Sequence, residues 1–158
     1  MDLLSTLGRT FACSYTAGLN LYATVAILGF ASRYQWVALP EQFRIFDNNW
    51  IIGTALALSV VEFVTDKIPG STLSGMRWDA VHTVIRPAGA ALIAVTAIGP
   101  AQSAVQAAAA LAGAALASGS HLAKAGTRIA ANTSPEPFSN WILSLSEEDS
   151  WSCLAYWP

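Results

Sequence analysis

The side chains able to do chemistry in this chain gather between Val60 and Arg86. The run VVEFVTDKIPG, a short polar turn and WDAVHTVIR set Glu62, Asp66, Lys67, Asp79, His82 and Arg86 between two long apolar regions. Glu62 and Asp66 are four apart and share a helix face, as do Asp79, His82 and Arg86 at i, i+3 and i+7. Further along, His121, Lys124 and Arg128 repeat that i, i+3, i+7 spacing. Carboxylates beside a histidine, set among apolar residues, suit the binding of a cation or the relay of a proton. The basic face at His121, Lys124 and Arg128 suits an anion, or serves as the partner of Glu62 and Asp66. Each feature also has a plainer reading. Glu62 can be an interfacial carboxylate paired with Lys67 or Arg86, and the basic face can snorkel toward phosphates or water.

Other chemistries lack their signatures. The chain has no HExxH, no paired cysteines and no nucleophile elbow. Cys13 and Cys153 show neither a CxxC nor a metal-ligand spacing. The expectation is therefore no enzyme, no metal and no cofactor.

The elements that position these residues must be apolar helices. Charged residues make up 11% of the 158, against about 25% in an ordinary soluble domain. The hydrophobic fraction is 54%, and the mean hydropathy is +0.45. A soluble helical domain with so few charges would struggle to cover its surface. A net charge of −2 points away from nucleic acid and from a basic membrane-surface protein. These features imply an all-α, polytopic transmembrane bundle of about 4–5 spans.

In chain order, Phe11–Ala31 reads as a first, uncleaved span. Its stripe of Ser14, Tyr15, Thr16, Gly18, Asn20, Tyr22 and Thr24 should face protein or a cavity rather than lipid. Gly18 and Asn20 also favour a local break, and Asn20 joins the candidate polar pathway. Arg33 to Asn49 is an aromatic connection in which Tyr34, Trp36, Phe43, Phe46 and Trp50 suit an interfacial belt. Pro40 interrupts it, with a short amphipathic helix expected around Glu41–Phe46. Trp50–Val64 reads as a second, short span ended by Pro69-Gly70, and Ser71–Arg77 as a loop. Ala80–Ile98 reads either as one kinked span through Pro87 or as an interfacial or re-entrant helix followed by a half-span. The Ala/Gly/Ser-rich run from Ala101 to Ala131 should be the most buried helix.

Three short matches hint at related halves. Gly18-x-x-Leu21 recurs as Gly119-x-x-Leu122, Pro40-Glu41-Gln42-Phe43 as Pro135-Glu136-Pro137-Phe138, and Asn49-Trp50-Ile51-Ile52 as Asn140-Trp141-Ile142-Leu143. With one span between them the halves would be inverted, and inverted repeats place a site at their interface. Glu147 or Glu148 would then be the near-equivalent of Glu62.

At GLNLYATVAILG, VVEFVTDKIPG, WDAVHTVIRPAGA and SGSHLAKAGTRIAANTSPEPFSNW the chain resembles a family of small bacterial membrane proteins known as a domain of unknown function (DUF4126). The resemblance implies a multi-span protein of the bacterial inner membrane and carries no catalytic or binding residues. It covers roughly 17–146, with 1–149 expected as one membrane domain. Family members continue past Glu148-Asp149 into an apolar helix, whereas here SWSCLAYWP follows, so 150–158 reads as an atypical tail from a truncation or frame slip. The function expected is transport or conduction of a small ion or polar solute. The alternative is a non-catalytic membrane scaffold that binds a partner or lipid. The expected partners are the lipid bilayer and that solute, with a homo-oligomer compatible and no nucleic acid.

Overall fold

The computed structural model describes residues 3–65, 72–132 and 154. Within them the chain folds as α1 (Leu3–Leu19), α2 (Leu21–Tyr34), a 3-10 helix (Glu41–Phe46), α3 (Asn49–Thr65), α4 (Thr72–Ile98) and α5 (Ser103–Asn132). No strand occurs among the described residues. The fold is all-α, as the composition implied.

Helices α1, α4 and α5 pack on one another, while α2 lies against α3 and the 3-10 helix. The contact faces of the first three are built from small residues. Cys13 and Ala17 on α1 share one buried cluster with Ala90 and Ala97 on α4 and Ala117 on α5, and Ala94 and Ala109 are buried as well. Such faces let backbones approach closely, so that many weak dispersion contacts replace a few large side chains. Gly113 marks the closest passage of α5 over α4. A Cβ there would meet Ala94 Cβ at 2.7 Å and the Ala90 carbonyl oxygen at 2.9 Å. Leu21, Leu28, Ile93 and Phe43 supply the bulk of the remaining core, with Leu154 packed half-buried against it.

Among the described residues, Ala80–Ile98 (19 residues, mean hydropathy 1.5) is long and apolar enough to cross a membrane; Asn49–Thr65 is apolar but shorter. Large apolar side chains face outward on three helices, with Trp50, Val60 and Val64 on α3, Val84 and Leu92 on α4, and Leu111, Leu122 and Ile129 on α5.

Several expectations need correction. The stretch Phe11–Ala31 is divided at Asn20, where a break was favoured, but Tyr15 of its polar stripe is exposed rather than turned to protein. Ser71–Arg77 is not a loop, because α4 begins at Thr72. That stretch holds no proline, and its single glycine costs only about 1 kcal/mol against alanine, which the helix that follows outweighs. Of the two readings of Ala80–Ile98, the continuous one through Pro87 holds, within a helix that begins earlier, at Thr72. Phe43 is fully buried beneath α2 and not in an interfacial belt, although Tyr34, Trp36 and Trp50 are exposed. Glu41–Phe46 is helical as expected, in the tighter 3-10 form. Helix α5 is not the most buried element, since only the stripe Ala109, Gly113, Ala117, Ser120, His121 and Lys124 is covered. A small-residue seam buries one face of a helix; Leu111, Leu122 and Ile129 stay outside.

The second members of the repeat pairs at 135–143, along with Glu147 and Glu148, lie outside the described residues, as does the tail 150–158 apart from Leu154.

Candidate functional site

The site begins with a break. In an uninterrupted helix the Ala23 amide would donate to the Leu19 carbonyl, four residues back. Here Asn20 is extended (φ −150°, ψ 93°), and its side-chain Oδ1 accepts from the Ala23 amide at 2.9 Å instead. Asn20 thus ends α1 and caps α2, as asparagine does well. The Gly18 and Leu19 carbonyls are left as the unsatisfied, electronegative end of α1.

Two buried cations take them. Arg86 Nη1 donates to the Gly18 carbonyl at 2.9 Å, and Lys124 Nζ donates to the Leu19 carbonyl at 2.9 Å. Both also meet Glu62. Arg86 Nη2 donates to Glu62 Oε1, and Lys124 Nζ reaches the same oxygen at 3.3 Å. Side-chain exposure is 1% for Glu62, 3% for Arg86 and 6% for Lys124, so solvent does not screen these pairs. Three helices converge here. Glu62 comes from the last turn of α3, Arg86 from the middle of α4 and Lys124 from α5.

The carboxylate is only half used. Oε1 takes both cations, while Glu62 Oε2 and Arg86 Nε are buried without a hydrogen-bond partner among the described residues. That leaves one acceptor and one donor unsatisfied at the centre of a charge cluster.

The histidines divide. His121 Nδ1 lies 2.7 Å from Arg86 Nη1. A guanidinium can only donate, so Nδ1 accepts and the imidazole proton sits on Nε2, which faces Thr83 Oγ1 at 3.2 Å. His121 is therefore neutral in this arrangement. His82, fully buried one turn before Arg86, has its Nε2 3.1 Å from the Tyr22 hydroxyl, and the two rings meet edge to face.

Close approach of α1 and α5 makes this convergence possible. A Cβ on Gly18 would collide with Ser120 Oγ and the Ala117 carbonyl oxygen, and would come within 2.6 Å of Ala117 Cα. Ser120 Oγ donates across this contact to the Tyr15 carbonyl at 2.9 Å. The two motifs Gly18-Leu19-Asn20-Leu21 and Gly119-Ser120-His121-Leu122 therefore meet in space, one broken and the other continuous.

Of the candidates read from the sequence, Glu62, Arg86, Lys124, His121 and Asn20 come together, with His82 alongside. Arg128 lies half-buried one turn beyond Lys124. Asp66 and Lys67 lie outside the described residues; Asp79 falls on α4, its side chain likewise outside them. The pairing of Glu62 with both Arg86 and the basic face of α5 is what two separate readings anticipated. The participants that went unsingled are Thr83, Ser120 and the Gly18 and Leu19 carbonyls, whereas Tyr22, on His82, belongs to the polar stripe of the first apolar run. A backbone carbonyl leaves no side-chain signal, and only the adjacent glycine and asparagine pointed to it. Among the described residues, no group of three His, Cys, Asp or Glu is arranged to hold a metal ion.

Comparison with known proteins gives one match, in which a family model described as "Domain of unknown function (DUF4126)" covers residues 7–157. No curated protein and no solved structure matched.

Proposed function

The chain belongs to this family of unknown function (DUF4126), and on that premise we propose that it is a multi-span inner-membrane protein that passes a small ion or polar solute through the α1–α2 break. The observation that carries the reading is the break itself, whose two freed carbonyls are held by buried cations that also grip a buried carboxylate. Broken helices with charged groups at the break are how secondary transporters build a site at mid-membrane. Irregular backbone at that depth must be satisfied by protein, and Arg86 and Lys124 do this for Gly18 and Leu19. The outward apolar faces of α3, α4 and α5 suit lipid. By rise per residue, α4 and α5 are about 40 and 45 Å long, enough for tilted spans, and with α3 and the broken α1–α2 pair they supply the material for a bundle of about 4–5 spans. In this state the pathway is closed.

A second reading, a non-catalytic scaffold, draws on that same closure, because Glu62 is 1% exposed and paired with two cations. The test is Glu62→Cys in a Cys13→Ala, Cys153→Ser background, treated with a membrane-impermeant thiol reagent from each side. Transport predicts labelling that changes with pH or with added solute. No labelling from either side of a folded protein would overturn the pathway and leave the scaffold.

A further inference from the structure

The arrangement around Glu62 identifies what the closed pathway would accept. We infer that the Glu62 carboxylate is a tethered stand-in for a small, monovalent, planar oxyanion, which binds Arg86 and Lys124 when Glu62 takes up a proton and withdraws. The inference rests on the pathway reading and names its substrate class.

Geometry carries the argument. The Nε and Nη2 of a guanidinium form one edge that binds two oxygens of a planar anion side by side. On Arg86 that edge is half filled, because Nη2 donates to Glu62 Oε1 whereas Nε, buried, has no partner among the described residues. Glu62 Oε2 is equally buried and equally unpartnered. A carboxylate that reaches in end-on from α3 satisfies one oxygen; a free planar oxyanion has no tether and can satisfy both. Lys124 Nζ, 3.3 Å from Oε1 and anchored on the Leu19 carbonyl, supplies the second charge.

The mounting of Glu62 suits displacement. Arg86 and Lys124 stand on α4 and α5, which pack tightly together and on α1. Glu62 stands on α3, which packs on α2 and buries Ile52, Ala55 and Glu62 itself. Moving α3 removes the carboxylate and leaves both cations in place on the α1 carbonyls.

Displacement sets the stoichiometry. An anion on the Nε–Nη2 edge takes the place of Glu62 Oε1 at both cations, and an ionised carboxylate displaced in this way would be left in a dry site with no cation partner, which is strongly opposed unless it takes up a proton. An anion that arrives as Glu62 gains one proton leaves the buried charge unchanged. The proton adds to Oε2, where no bond to Arg86 or Lys124 is in the way. The charged and titratable groups around it are Arg86 and His82 from α4, Lys124 and His121 from α5, with Arg128 a turn further, and Tyr22 from α2. His121 could take up a proton only at Nδ1, at the cost of the bond it accepts from Arg86 Nη1, whereas Glu62, in direct contact with both cations, has Oε2 open to one.

Nitrate is the probe, being planar, monovalent and ionised at all working pH values. Its affinity for the purified full chain is measured in detergent by calorimetry over a range of pH, with chloride as the spherical control. One proton taken up per anion predicts wild-type affinity tightening about tenfold for each unit the pH is lowered while Glu62 is ionised. Glu62→Gln should bind nitrate more tightly and without pH dependence, and nitrate should raise its melting temperature more than that of the wild type. Arg86→Lys should lose the preference for nitrate over chloride. Nitrate affinity independent of pH in the wild type would overturn the proposal, even if Glu62→Gln does not fold. So would the absence of nitrate binding. If in that case Glu62→Cys is labelled, the pathway stands and only the anion is wrong; if it is not labelled, both fail.

Discussion

Glu62 is one carboxylate facing two cations in a site closed to solvent, and its removal is costly for that reason. Glu62→Ala leaves Arg86 and Lys124 buried beside each other with no anion, and losing one partner of a buried pair costs about 3–5 kcal/mol. Thermal unfolding in detergent should show that loss. Adding Lys124→Met to Glu62→Ala should then recover part of it, giving a strongly non-additive double-mutant cycle. Additive losses would mean that the two groups do not interact. The members of this cluster were legible as rare charges in apolar sequence, because each needs a partner there. Which cation pairs with which carboxylate was not legible. Lys67, Arg86 and the basic face of α5 were all open to Glu62 by sequence, and the packing of α4 on α5 joined Arg86 to Lys124, 62 residues from Glu62, on one carboxylate.

At the scale of elements, the site depends on where α1 stops. Asn20 supplies the side-chain acceptor for the Ala23 amide and so decides that the Gly18 and Leu19 carbonyls are free for Arg86 and Lys124. Asn20→Ala should destabilise the protein by about 0.5–2 kcal/mol as a lost cap, while Asn20→Asp or Asn20→Ser should keep most of the stability; equilibrium unfolding measures each. An alanine variant as stable as the wild type would show that the break is imposed by packing rather than by the cap. The glycine–asparagine pair signalled this break in advance because both residues tolerate or create non-helical backbone. Pro87 left two readings open, a helix that continues through it and one that ends before it. A proline weakens a helix locally, but α4 buries His82, Arg86, Ala90, Ile93 and Ala97 along one continuous stripe, and that burial carries the helix across it.

At the scale of the whole molecule, large apolar side chains lie on the outward face as well as the inward one. Leu92 on α4 is 69% exposed and its neighbour Ile93 is 1% exposed. If lipid covers the outer face, a nitroxide on Leu92→Cys in reconstituted protein should collide more with oxygen than with a water-soluble nickel chelate. The reverse order would place this face in water. Either result is independent of Glu62, so the membrane setting and the pathway are tested separately.

The amino-acid sequence by itself determined that the chain is all-α, that its few charges would need partners, and that Gly18 and Asn20 would interrupt the first apolar run. Those conclusions follow from local quantities such as composition, backbone preference and the helical period. The tertiary structure alone decided that Gly18 lies against Ser120, that Phe43 belongs to the core, and that Glu62, Arg86 and Lys124 share one oxygen atom. Each of these depends on how closely two helices approach, and that is set by the small side chains of both at once.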